Sequence, residues 1–178
     1  MLNSLDAARP ATGQEKHVAE ISDLERLVAT NEIKNLMARR VRSLDTKDWD
    51  TYRDCHAPEH VSHVLAAGRD AMMAALLKSL DGVSTIHHVH SPEIRILSST
   101  EATGWWALED WLHWMQGDEE HWLHGWGYYH DSYAKRDGEW LFTSRRLERL
   151  RLVHSPGSNR AHERPPAPHQ DNMRVAKE

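Results

Sequence analysis

Two tight turns close together near the C-terminal end limit what this chain can fold into. Gln116-Gly117-Asp118 separates a run from Ala102 to Met115 from another, His121 to Lys135. Asp137-Gly138 then separates that run from a third, Trp140 to about His154. An Asp-Gly pair between two strand-like segments is a strong hairpin signal, because both residues tolerate the positive φ that such a turn needs. Long strands joined by such short turns must return beside themselves as an antiparallel meander. Strands of this length curl strongly, and the concave side of a curled sheet has to be covered.

The cover lies upstream. From Ser22 the apolar residues Leu24, Leu27, Val28, Ile33, Leu36, Met37, Val41 and Leu44 recur at three- and four-residue steps, the period of a helix. Ser22 with Glu25 reads as a capping box at its start. The helix is expected to end near Ser43, with Asp45-Thr46-Lys47-Asp48 turning into a second helix from Trp49 to about His56, stopped by Pro58. His60 to Leu65 reads as a short strand, and Arg69 to Leu80 as a third helix, rich in Ala, Leu and Met. Thr85 to His90 alternates, with Thr85, His87 and Val89 on one face, and Pro92 separates it from Ile94–Leu97. The order predicts an α+β fold: a cone-shaped, curved antiparallel or mixed sheet packed against three N-terminal helices and enclosing a pocket. The domain is expected over 21–154, between a flexible segment 1–20 and a Pro-rich tail 155–178.

Composition excludes several classes. No apolar run approaches the roughly 18 residues needed to span a bilayer. The N-terminus has no apolar core or signal-peptide layout, which predicts a cytoplasmic protein without a membrane partner. A net charge of −5 gives no electrostatic reason to expect nucleic acid. The single cysteine, Cys55, excludes a disulfide framework and reads as an apolar filler. His56, His60 and His63 could suggest a metal site, but they span a helix end, Pro58 and a strand start, so no metal is expected. Eight Trp against one Phe imply flat apolar surface in the core, in a subunit interface, or around an aromatic or polycyclic ligand.

Three motifs in order resemble a known family. Ser43-Leu-Asp-Thr-Lys-Asp-Trp-Asp50, Ser84-Thr-Ile-His-His88, and Gly127-x-Tyr129-x-Asp131-x-Tyr133 followed by Arg136-Asp-Gly-Glu-Trp140 are similar to the SnoaL-like (nuclear transport factor 2-like) pattern over residues 22–150. That superfamily holds dehydratases, a dehydrochlorinase, isomerases and cyclases, together with noncatalytic subunits, so the fold does not fix the function. In the dehydratases and the dehydrochlorinase, the residue matching Asp45 pairs with one matching His87. The resemblance therefore implies an acid–base dyad and a cofactor-independent lyase. A neutral imidazole can take a proton near pH 7, and a carboxylate on its other nitrogen fixes the tautomer and stabilises the imidazolium.

The bland readings stand beside these. Asp45 could cap a helix, and His87 could simply be packed in its strand. The resemblance also implies catalytic roles for Arg40, where many members carry Tyr and the dehydrochlorinase a basic residue, and for Arg145. A buried guanidinium there would stabilise a departing anion or developing alkoxide; otherwise Arg40 lies on a solvated face and Arg145 in a surface pair. Tyr129, Trp106, Leu108, Asp110 and Trp49 are expected to bind substrate. Alternation does not decide which face of 102–115 points inward, because both faces are mixed.

The expected reaction is loss of water, halide or a small aldehyde such as formaldehyde from a bulky aromatic or polycyclic substrate. The alternatives are a noncatalytic small subunit of an aromatic-ring dioxygenase, or a polyketide cyclase or isomerase. The dehydratase relatives imply a homo-oligomer, with a trimer favoured.

Overall fold

The computed structural model describes residues 21–159. The expected flexible segment 1–20 and tail residues 160–178 lie outside the described residues. Helix α1 (Asp23–Thr46) opens with the capping box: Glu25 N–H donates to Ser22 Oγ, and Ser22 N–H donates back to the Glu25 carboxylate. Its buried stripe runs Ala29, Ile33, Leu36, Met37, Arg40, Ser43 and Leu44. The helix continues past Ser43 by most of a turn. It ends only where Lys47 takes a left-handed conformation (φ 61°) and its N–H returns to Leu44 O. Asp45 therefore sits in the last turn of α1 rather than beyond it. Asp48 caps the short α2 (Trp49–Asp54) by accepting from Thr51 N–H at 3.2 Å.

Strand β1 (His56–Ser62) begins four residues earlier than expected, because Pro58 does not stop a helix. It lies in an edge strand at a register shift between His56 and Val61, where its missing N–H leaves no gap in the ladder. After Gly68 comes α3 (Arg69–Ser79). Strand β2 (Val83–Ile96) is continuous through Pro92; a bulge between His90 and Glu93, with Ser91 at φ 48°, absorbs the proline. Then follow β3 (Glu101–Gln116), β4 (Glu119–Arg136) and β5 (Glu139–His154). The turn between the last two places Asp137 at φ 50° and Gly138 at φ 88°.

The sheet order is β1-β5-β4-β3-β2. Strands β2 to β5 pair antiparallel, and β1 adds parallel to β5, so the sheet is mixed. Further register shifts at Trp126/Gly127 and Ser132/Tyr133 bend the β4–β5 pair. The α+β cone expected from the sequence is what forms: α1 crosses β2 and β5, α3 lies against β1, and the sheet stays open at β1 and β2.

Packing settles the inward face of β3. Ala102, Trp106, Leu108, Asp110 and Trp114 are buried, while Trp105 is half exposed on the other side. The main core joins Ile33, Leu36 and Met37 of α1 to Trp106, Leu108, Tyr133, Trp140 and Phe142 of the sheet. A second cluster joins Leu44 and Tyr52 to Met72, Met73 and Leu76 of α3. A cavity remains between the two. The first residues past β5 are fastened rather than loose: Ser155 Oγ pairs with His121 Nδ1 at 2.9 Å, and Gln116 bonds the backbone of Gly157 and Asn159.

Candidate active site

The end of α1 and the middle of β2 bring Asp45 and His87 together. Asp45 Oδ1 lies 2.7 Å from His87 Nδ1, and its Oδ2 accepts the backbone N–H of His87 at 2.8 Å. Thr85, two residues earlier on the same face, donates its hydroxyl to Oδ1 at 2.9 Å and accepts from Lys47 Nζ at 2.8 Å. A carboxylate only accepts, so Nδ1 carries a proton, and in the neutral ring it is Nε2 that holds the lone pair. Burial alone would raise the Asp45 carboxyl, but its bonds to His87 and Thr85 outweigh that and hold it below the usual carboxylate range. Asp45 is thus ionised at neutral pH.

His87 faces a cavity of about 240 Å³. Leu44, Leu65, Met72, Leu76, Leu112 and Leu147 supply its apolar wall. The polar groups converge from all five strands and from α1 and α2. Asp110 of β3 places Oδ2 4.0 Å from His87 Nε2. Arg149 of β5 grips Asp110 with both terminal nitrogens, one of them at 2.7 Å. Gly125 of β4 lies opposite Asp110 in register, and a side chain there would collide with both Asp110 and Arg149. The absence of a Cβ is what lets the pair form.

Deeper in, Arg145 donates to both oxygens of Asp131 at 2.6 Å each. Tyr133 Oη donates to Asp131 at 3.1 Å and accepts from Trp106 Nε1 at 2.8 Å. Burial pulls the Arg145 pKa down, and the Asp131 charge more than reverses this. The Arg145 guanidinium stacks 3.8 Å from the centre of the Tyr129 ring. Burial also raises the Tyr129 phenol, which keeps its proton. Arg40 donates to Tyr52 Oη at 2.8 Å and to His56 Nε2 at 3.3 Å.

Six of the nine residues singled out from the sequence therefore line the cavity or hold its dyad: Asp45, His87, Arg40, Arg145, Tyr129 and Asp110. Neither Arg40 nor Arg145 lies on a solvated face. Three do not line it. Trp106 and Leu108 belong to the core on the far side of His87, and Trp49 packs outside against Leu44 and Tyr52. None of the eight tryptophans lines the cavity. Sequence reasoning missed Arg149; it placed Thr85 on the face of His87 without a role and weighed His60 only as a metal candidate. Arg149 was accessible through strand parity, since Arg145, Leu147 and Arg149 share one face.

The remaining titratable candidates have structural roles. Burial and the nearby Arg40 charge hold His56 well below the usual imidazole range, and burial lowers His60 to about 4. Both rings are neutral. His56 uses Nδ1 on Tyr52 O and Nε2 on Arg40, so both ring nitrogens are already engaged. Cys55 is buried with its thiol raised by burial, which suits a filler and not a nucleophile.

The SnoaL-like domain model matches residues 25–146. The chain belongs to the SnoaL-like family. Solved structures share its fold. A protein described as a scytalone dehydratase, from Novosphingobium aromaticivorans, is 22% identical with a TM-score of 0.67, over 74% of this chain and 91% of the other. A type 2 hexachlorocyclohexane dehydrochlorinase is 17% identical, also with a TM-score of 0.67, over 77% and 95%. A Mycobacterium tuberculosis protein of unknown function is 24% identical with a TM-score of 0.60, over 72% and 76%. At these identities the likeness is one of SnoaL-like fold.

Proposed function

We propose that this chain is a cofactor-independent lyase in which His87 removes a proton from its substrate and a leaving group departs. The observation that carries this reading is the hydrogen-bonded Asp45–His87 pair with Nε2 turned to a largely apolar cavity. Asp45 fixes the tautomer that leaves Nε2 free and stabilises the imidazolium after proton transfer. Asp110, held by Arg149, supplies a second carboxylate on the Nε2 side, so the charged ring would lie between two anions.

The electron pair left by the abstracted proton expels the leaving group from the neighbouring carbon. A hydroxyl group leaves as water by taking back the proton that the His87 imidazolium now carries, and halide leaves as the anion. Arg40, Arg145 and the protonated Tyr129 would stabilise the negative charge that develops. Loss of formaldehyde fits the same layout: His87 takes the hydroxyl proton as the carbon–carbon bond breaks, and the activated carbon that keeps the electron pair then takes that proton back from the imidazolium. The absence of Trp from the wall removes one argument for a polycyclic substrate and leaves an apolar molecule sized to the cavity. A structural subunit would have no use for ion pairs gathered around an open cavity.

The test is elimination by purified protein on a panel of aryl and alicyclic alcohols and halides, followed by absorbance of the new double bond or by halide release. His87→Ala should abolish turnover while its circular dichroism stays that of wild type. Undiminished turnover in His87→Ala would remove this reading.

A further inference from the structure

One cation at the cavity has no carboxylate within reach. Arg145 is neutralised by Asp131, Arg149 by Asp110, and Asp45 is paired with His87. Arg40 is left over. It is 6% exposed, yet among the described residues no carboxylate lies within ion-pair distance of it. Its hydrogen-bond partners are a phenol and a neutral imidazole, and its Nη1 is buried without any partner. A buried, unneutralised guanidinium is expensive to maintain, and it cannot discharge itself by losing a proton.

A second observation points the same way. Arg145 also has a buried Nη1 without a partner, although its other two nitrogens hold Asp131. Both guanidiniums line the cavity and flank the same two rings: Tyr129 at 5.6 and 3.8 Å, and Phe142 at 5.7 and 4.9 Å. Each guanidinium thus has N–H groups to spare beside the same two rings, and a carboxylate offers two oxygens to take them. A phosphate would call for more donors than these.

We infer that the cavity receives a substrate carrying a permanent carboxylate on an apolar body, and that Arg40, assisted by Arg145, is its receptor. This deepens the lyase reading and rests on it for the chemistry at His87, but the anion site stands on its own geometry. The partner that Arg40 lacks then arrives with the ligand, and a neutral analogue would leave Arg40 unpaired at the cost usual for a buried polar group deprived of its partner.

The experiment is isothermal titration calorimetry with the full chain. The probes are benzoate and cyclohexanecarboxylate, their neutral amides, and sodium bromide. Wild type is expected to bind at least one carboxylate ten-fold or more tightly than its amide. Arg40→Gln should erase that preference, and Arg40→Lys, which keeps the charge, should retain most of it. The lysine variant also guards against mistaking a folding defect for lost recognition. Equal binding of acid and amide, binding of neither acid, or a preference that survives in Arg40→Gln would overturn the inference. Bromide binding as tightly as the acids would overturn it too, by assigning the site to a departing halide. Binding is read without turnover, so failure here is distinct from failure of the dyad, which appears as unchanged turnover in His87→Ala.

Discussion

Replacing Asp45 by Asn tests the dyad with almost no change in shape. The carboxylate makes three contacts: the His87 ring and the Thr85 hydroxyl on Oδ1, and the His87 N–H on Oδ2. An amide has one oxygen. If that oxygen keeps the backbone N–H of His87, its NH₂ must face Nδ1 and donate to it. The ring proton then moves to Nε2, the nitrogen that has to accept from substrate. Losing the charge-assisted bond to the imidazolium costs about 2–3 kcal/mol, roughly 30- to 150-fold in rate. With the inverted tautomer the total should approach 10³- to 10⁴-fold, roughly the loss a carboxylate-to-amide change causes in a Ser-His-Asp triad. The assay is kcat/KM on the first substrate found to be eliminated. A second readout needs no substrate: the nitrogen chemical shifts of the His87 ring should show the proton on Nδ1 in wild type and on Nε2 in Asp45→Asn. A folded Asp45→Asn protein with kcat/KM within ten-fold of wild type, or with an unchanged tautomer, would refute the reasoning.

Other consequences can be measured directly. Asp131→Asn strands the buried Arg145 charge, so it should lose about 3–5 kcal/mol in a denaturant titration, more than any conservative surface change. Gly125→Ala should displace Arg149 from Asp110 and lower turnover more than it lowers Tm, because the collision involves the ends of side chains and not the ladder. Acid should destabilise the protein between about pH 6.5 and 4. The unfolded chain protonates His60 in that window while the folded chain, with His60 lowered to about 4, does not. The folded pKa is depressed for a base, so stability rises with pH across the window. By linkage His60 alone accounts for about 2 kcal/mol lost on going from pH 7.5 to 5; His60→Gln should remove that share from the Tm–pH profile and leave the share of His56, whose ring is also held down.

Much of this architecture could be read before the structure. The capping box at Ser22, the meander and its Asp-Gly turn depend on local rules that tertiary packing did not override. The errors cluster at prolines and at one helix end. Pro58 and Pro92 look like breaks in a sequence, but an edge position and a bulge accommodate them, and neither is visible without the neighbouring strands. The end of α1 depends on Lys47 adopting positive φ, which its side chain does not announce. The inward face of β3 was undecidable because its buried side carries Asp110 while its outer side carries Trp105 and Trp111. Burial of a carboxylate makes sense only once Arg149, far along the chain, is seen to hold it. Asp45 and His87 were legible through resemblance; the leftover charge on Arg40 was not, since a charge balance requires knowing every partner.

The outer side of the β3–β4 hairpin has a practical consequence. There His124 stacks on Trp111 with ring centres 3.5 Å apart and lies 3.7 Å from Trp126, while His130 lies 4.2 Å from Trp105. Imidazole rings in contact with indole quench its excited state, so this surface should be dim. The cavity contains no indole at all. Intrinsic fluorescence, a habitual first assay for ligand binding, would therefore be dominated by the outer wall, and entry into this cavity would register only through tryptophans that do not line it.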